Sequence, residues 1–305
     1  MILFVSGRCD IPAFYTPWFF HRLKEGYVDV RNPYDPHQIS RIFLDEKNID
    51  AILFCTKNPL PMLSRLDEIP FPYLFHITLT AYHKDIERHV PDKTKIIEGI
   101  KKLSEKIGKD KVIVRYDPIL LSEHYTIAYH IKAFEKLCSE LQGYIDHVII
   151  SFVDMYKNTK KHADVMKLKE IKLDDMHTLG KHVGKIGKRY HIPVKTCAEE
   201  VDLSMYGIEK GLCIDKEKME KLVGYRLRDG KGVRKECGCM ETVDIGDYNC
   251  CGHECLYCYA NYDDKTITQR IKLHDPYSSV LIGHIEDADR ITIRKDKKIH
   301  QLKLL

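Results

Sequence analysis

No stretch of the chain approaches the ~20 consecutive apolar residues that a membrane-spanning helix needs. Charge of one sign is not in excess either. Against 49 basic residues stand 45 acidic ones, a net +4, too balanced to indicate nucleic-acid binding by bulk electrostatics. There is no internal repeat and no low-complexity run. The opening Met1-Ile-Leu-Phe-Val5 is too short for a signal-peptide core and lacks a basic leader, so it reads as a buried first strand of a cytoplasmic protein. With 305 residues, 44% hydrophobic and 31% charged, the chain has globular proportions and room for one large domain or two modest ones.

Cysteine is plentiful. There are 11, and those at 213, 237, 239, 250, 251, 255 and 258 all fall after residue 210. A disulfide scaffold fits poorly, because the chain is long, shows no export signal and clusters its thiols. Clustered thiols in a reducing compartment point to metal or redox chemistry instead.

Up to about residue 200, short apolar runs alternate with amphipathic ones. Strands are expected at 2–6, 51–55, 73–80, 112–116, 147–152 and 193–196, and helices at 93–107, 127–141 and 174–190, the last capped by Asp174. Such alternation predicts parallel βα units: an α/β fold, as a partial or full TIM-like barrel of about six strands. Residues 27–44 read as an inserted hairpin. From residue 201 the pattern gives way to a tract rich in Cys, Gly and Lys. The expected division is therefore a barrel core over 1–200 and a cysteine-rich metal-binding segment over 201–305, packed on the barrel mouth.

Cys251-Gly-His-Glu-Cys255-Leu-Tyr-Cys258 places three thiols within one short loop. Thiolates are soft ligands that select zinc, Cu(I) or iron–sulfur clusters. Three without an obvious fourth suit a [4Fe-4S] cluster with one iron left open. A zinc knuckle completed by His253, Cys250 or Cys239 is the alternative. A second group, Cys237-Gly-Cys239 with Cys197 and Cys213, supplies four thiolates for an auxiliary [4Fe-4S] cluster or for zinc, while Cys55 and Cys138 lie in core patterns.

Polar residues crowd the C-terminal ends of five expected strands, where βα barrels build their active sites. We take Asp10, Tyr15, Arg115, Asp117 and Glu199 as candidate catalytic groups. Arg8, Lys57, Asn58, Glu200 and Tyr257 are candidate cofactor contacts, since Arg and Lys pair carboxylates while Asn and Glu accept from hydroxyls and amines.

The three-thiol spacing with Tyr257 before the last cysteine resembles the motif of radical S-adenosylmethionine (SAM) enzymes. There the thiolates hold a [4Fe-4S] cluster whose open iron chelates the amine and carboxylate of SAM. In most such enzymes the motif follows the first strand, whereas here it lies near the end. Several segments together are similar to the bacterial family called domain of unknown function 1848: Asp10-Ile-Pro-Ala-Phe-Tyr15 with Trp18-Phe, Val30-Arg-Asn-Pro33, Thr56-Lys-Asn-Pro59, Arg115-Tyr-Asp-Pro118, Thr196-Cys-Ala-Glu-Glu200, and Cys237-Gly-Cys239 through Cys258-Tyr-Ala-Asn261. The resemblance implies radical SAM-like chemistry on an unspecified substrate, with SAM as cofactor and a flavodoxin or ferredoxin as electron donor. It implies neither Cys9 nor Cys250 as an obligate ligand. An iron–sulfur or zinc protein that does not use SAM, and a metal-stabilised nucleic-acid-binding or repair module, are the other classes to be distinguished.

Overall fold

The computed structural model describes residues 1–228 and 239–294. In chain order the strands are β1 (Ile2–Val5), β2 (Tyr27–Arg31), β3 (Gln38–Phe43), β4 (Ala51–Thr56), β5 (Tyr73–Thr78), β6 (Val112–Ile119), β7 (Val148–Phe152), β8 (Val194–Cys197), β9 (Ile208–Gly211), β10 (Thr242–Asp244) and β11 (Arg290–Ile293). The helices are α1 (Ile11–Phe14), α2 (Thr16–Glu25), α3 (Lys93–Ile107), α4 (Ile127–Leu141), α5 (Lys157–Lys161), α6 (Leu173–Arg189), α7 (Lys216–Val223) and α8 (Asp264–Ile271). Eight strands form one wholly parallel sheet in the order β10-β1-β4-β5-β6-β7-β8-β9.

The fold class is α/β, and all six expected sheet strands are present. The barrel, however, does not close. β9 and β10 are the two edges of the sheet and do not pair with each other. Both edge strands come from beyond residue 200, so the late segment is woven into the core sheet as well as laid over it. Asp174 does not cap α6. The helix starts one residue earlier, and the Asp175 carboxylate takes the Lys172 N–H at 2.9 Å.

The strands read as unbroken apolar runs because both faces are covered, as parallel sheets require. In β4, Ile52 and Phe54 face outward with Trp18 and Phe19 of α2 and the apolar stripes of α3, α4 and α6. Ala51 and Leu53 face inward with Ile113, Ile149, Ile214, Met219 and Met240. The inner face is thus lined by the chain from Cys213 through α7 and by Cys239 and Met240. Trp18 is wholly buried and donates through Nε1 to the Ser278 carbonyl at 2.9 Å. Truncating such a side chain to alanine typically costs about 3–5 kcal/mol.

The expected hairpin is β2 and β3, antiparallel, and the tail strand β11 adds to it in parallel. Among the described residues no helix is long and apolar enough to cross a membrane. Since the eight sheet strands run one way, the loops after them gather at one end, the place where open α/β sheets bind ligands.

Candidate functional site

The loop carrying Cys251, Cys255 and Cys258 is fastened over that end of the sheet. Glu87 and Cys255 form an antiparallel bridge. The Leu256 N–H donates to the Ile86 carbonyl at 3.0 Å, and the His89 N–H to the His253 carbonyl at 3.1 Å. From the other side, Asn158 Nδ2 donates to the Asn261 carbonyl at 2.6 Å, and Asn261 Nδ2 donates to the Cys251 carbonyl at 2.8 Å.

Asp10 ties the loop to the sheet. Its Oδ1 accepts from the Ala13 N–H at 3.0 Å, capping α1, and from the Thr56 hydroxyl at 2.6 Å. Its Oδ2 accepts from the Lys57 N–H at 2.7 Å and from His253 Nε2 at 2.8 Å. Asp10, Thr56 and His253 are all buried. The phenol of Tyr15 donates to the Cys250 carbonyl at 2.5 Å. At the sheet edge, Asp244 accepts from Ser6 Oγ at 2.6 Å, from the Gly7 N–H at 2.8 Å and from the Gly246 N–H at 2.7 Å. Gly246 is required there, because a Cβ would lie 2.0 Å from Ser6 Oγ and 3.0 Å from Cys9 Sγ.

Directly beside Cys255 lies a buried ionic network. Glu87, 1% exposed, accepts from Lys57 Nζ at 2.7 Å and Thr80 Oγ1 at 2.6 Å, and from Lys93 Nζ and the Tyr257 hydroxyl. Burial alone would raise the Glu87 carboxyl, but Lys57 and Lys93 together hold it well below the usual carboxylate range. Burial works against the Lys57 ammonium, yet Glu87 and then Cys255 keep it firmly charged. Lys93 is pushed down by burial and by Lys57, against the pull of Glu87. Two ammonium groups thus face one carboxylate. The unmatched positive charge acts on the Cys255 thiol, offsetting part of the rise that burial gives it.

All three loop thiols are raised by burial. After burial, Cys258 raises Cys251 and Cys255 further, and Cys9 raises Cys258. Lys57 offsets part of the rise at Cys255 and Cys258, and the Ala260 N–H donates to Cys258 Sγ at 3.4 Å. The Nδ1 of His253 and the Oδ1 of Asn261 are buried on this loop without hydrogen-bond partners.

The second thiol group assembles on the inner face. Cys213 Sγ lies 3.1 Å from Cys239 Sγ, and the Ile214 N–H donates to Cys239 Sγ at 3.5 Å. Arg115 pairs with Asp117 on the same strand, and its charge offsets part of the rise of the Cys197 thiol. Cys237 lies outside the described residues. Among the described residues, no group of three or more His, Cys, Asp or Glu side chains is drawn onto a single point as one metal ion would hold it. Beneath α7 the inner face leaves a cavity of about 270 Å³, lined by His76, Asp146, His147, Lys195, Cys213 and Lys218 among others.

Comparison with known proteins places this architecture. The profile of the family described as "Domain of unknown function (DUF1848)" matches residues 2–260. The chain belongs to the DUF1848 family. No curated protein matches it. Among solved structures, a candidate alpha-L-fucosidase from Bacteroides thetaiotaomicron VPI-5482 is 11% identical with a TM-score of 0.26, covering 68% of this chain and 80% of the other. An endoglucanase is 10% identical with a TM-score of 0.23, covering 73% and 96%. Likenesses this weak carry no argument about activity.

In this DUF1848 chain the residues singled out from the sequence part into three sets. Lys57 and Tyr257 meet at the cysteine loop, with Asp10 and Tyr15 beneath it as fasteners. Arg115 and Asp117 join the second thiol group. The rest serve elsewhere. Arg8 reaches the Gly246 carbonyl at 3.4 Å and lies over the Tyr248 ring. The Asn58 Oδ1 accepts from the Leu60 N–H at 3.3 Å, and Glu199 accepts from the Phe152 N–H at 2.8 Å. Glu200 is exposed. Glu87, Lys93, Thr80 and Asp244 are central residues that the sequence reading missed. Glu87 lies between β5 and α3, in a stretch without periodic pattern, and nothing local marks it.

Proposed function

We propose that this chain is an iron–sulfur enzyme of the radical SAM type, with Cys251, Cys255 and Cys258 as cluster ligands. The observation that carries the reading is the placement of these three thiols, Cys255 buried and Cys251 and Cys258 half-buried, on a loop clamped over the end of a parallel sheet where such sheets bind ligands, beside a Lys57–Glu87–Lys93 network with one positive charge in excess. The donor set fits the group. The thiols are free and soft. They lie on one short loop, and a multi-iron cluster lets each thiolate take a different iron. Two buried polar atoms on the loop remain unmatched.

When bound, the cluster would supply the electron that cleaves SAM reductively to a 5′-deoxyadenosyl radical, which abstracts hydrogen from a substrate. The protein's own part is positioning and exclusion. Lys57 and Lys93 favour the thiolate forms and offer a charge partner to an anionic cofactor group. Asp10, through His253, fixes the loop against α1 and β4. Tyr257, held by Glu87 and packed edge-on to Tyr82 at 5.7 Å, helps keep the pocket dry, as radical chemistry demands. A flavodoxin or ferredoxin in a reducing cytoplasm would deliver the electron.

The test is anaerobic purification, iron and sulfide analysis, and EPR of the dithionite-reduced protein with and without SAM. About four irons per chain, a reduced-cluster signal that changes on adding SAM, and loss of both in the Cys255→Ser variant are expected. A protein without iron when purified anaerobically, or an iron content untouched by Cys255→Ser, would overturn the reading.

A further inference from the structure

We propose that Cys213 and Cys239 are a site of reversible oxidation, a thiol pair that closes to a disulfide under peroxide and so joins the two edges of the open sheet. The proposal does not depend on the radical reading. It rests on where these two sulfurs lie.

Cys213 stands just past Gly211, the last residue of β9, and Cys239 just before Thr242, the first of β10. β9 and β10 are the two edges of the sheet, and they do not pair with each other. The chain segments next to them meet nevertheless. The Met240 N–H donates to the Ile214 carbonyl at 3.1 Å, so the residues that follow the two cysteines are already joined backbone to backbone. The Ile214 N–H donates to Cys239 Sγ at 3.5 Å, and the two sulfurs lie 3.1 Å apart. The cysteines are 26 positions apart in the chain, so the fold and not the spacing makes this contact. Cys138 is the contrast, buried on the outer face among aliphatic and aromatic neighbours.

Both thiols of the pair are free. A disulfide bond is ~2.05 Å long, so closure asks the sulfurs to approach by about 1 Å. The two differ in access. Cys239 is 3% exposed. Cys213 is half-buried and lines the cavity of about 270 Å³ beneath α7, which has room for a molecule the size of hydrogen peroxide. Peroxide therefore meets Cys213 first. The Cys213 thiolate attacks one oxygen and breaks the O–O bond, becoming a sulfenic acid. The other oxygen leaves as hydroxide and takes the proton that the thiol gave up. The Cys239 sulfur then attacks the sulfenic sulfur, and the S–S bond forms as the second oxygen departs as water. Two thiols and one hydrogen peroxide give one disulfide and two waters, with two electrons passing from sulfur to the peroxide. A small dithiol reverses the bond by exchange.

Reduced, the edges are held beside each other by hydrogen bonds. Oxidised, they are held covalently, and the chain that runs from β10 to the cysteine loop is tethered at its start. In a reducing compartment such bonds are transient and serve redox sensing.

The test is peptide mapping of the whole chain, first reduced, then exposed to hydrogen peroxide, with free thiols alkylated before digestion without reductant. A peptide pair joined through Cys213 and Cys239 is expected, lighter by two hydrogens than its parts and separated by dithiothreitol, while Cys138 is alkylated. Cys213→Ser should show no bridge and an alkylated Cys239. Should that variant fail to fold, hydrogen exchange of the wild-type chain reads the same closure: exchange at β9 and β10 should slow on oxidation and recover with dithiothreitol. Both thiols alkylated after excess peroxide would overturn the proposal. So would a bridge from either to a third cysteine, a sulfinic acid on Cys213 without a bridge, or a bridge that leaves exchange at β9 and β10 unchanged.

Discussion

Six cysteines form two groups in this protein, and the groups are made in opposite ways. Cys251, Cys255 and Cys258 are neighbours in sequence, so bringing them together costs the fold little. What the fold adds is their surroundings: a clamp through Asp10 and Asn158, and a buried network rich in positive charge. Cys197, Cys213 and Cys239 are remote in sequence and meet only because β8, β9 and the lining of the inner face converge. Their surroundings are mostly apolar, with the Arg115 charge acting on Cys197 and Cys213. For the first group the informative feature is therefore the electrostatics, and for the second it is the proximity itself. The two should respond to different perturbations.

The largest difference is expected from Glu87→Gln. The substitution leaves half-buried Lys57 and Lys93 without their buried counter-charge, and breaking a pair of this kind costs up to about 3–5 kcal/mol. Denaturant unfolding should show a loss of that order. Iron should fall with it. Unchanged stability would mean that the network is far wetter than its burial indicates.

Asp10→Asn should have a smaller effect, about 1–3 kcal/mol. The amide keeps one acceptor oxygen but turns an N–H₂ toward groups that are themselves donors, so the hold on Lys57 and His253 is lost. Iron occupancy should drop together with stability. Because all four hydrogen bonds of Asp10 are structural, we expect no variant that keeps stability and cluster while losing activity. Such a variant would restore the catalytic role that its position at a strand end first suggested.

These residues also show what was legible in the chain. The strands and helices up to β8 could be read because each carries its own apolar period, and the cysteine loop because its ligands are local. Lys57 and Tyr257 were legible through adjacency, one at a strand end and one inside the loop. Glu87 was not, since its partner Lys57 lies 30 residues away and its own segment has no period. The open sheet was not legible either. β9 and β10 are four and three residues long, too short to show a pattern, and it is their failure to pair that leaves the barrel unclosed.

The smallest expected effect lies under the second group and is set by pH. Asp146 binds His147 Nδ1 at 2.6 Å and Lys218 Nζ of α7 at 2.8 Å, tying the helix to the sheet beneath the thiols. Burial raises the Asp146 carboxyl, but His147 and Lys218 bring it down to about 2. A carboxyl lowered on folding contributes stability that is complete above its unfolded value near 3.9. That contribution is lost as pH falls through about 2, because the unfolded chain binds the proton first. The carboxylate is partly open to solvent, so the contribution is no more than about 1 kcal/mol. Asp146→Asn should lower stability at pH 7 by that contribution and flatten the pH profile in the acid window, where the wild type loses it. Glu87, held low by two lysines in a drier place, should still support the cysteine loop there. Acid is therefore expected to loosen α7 before the loop, and hydrogen exchange that shows the reverse order would undo the contrast between the two groups.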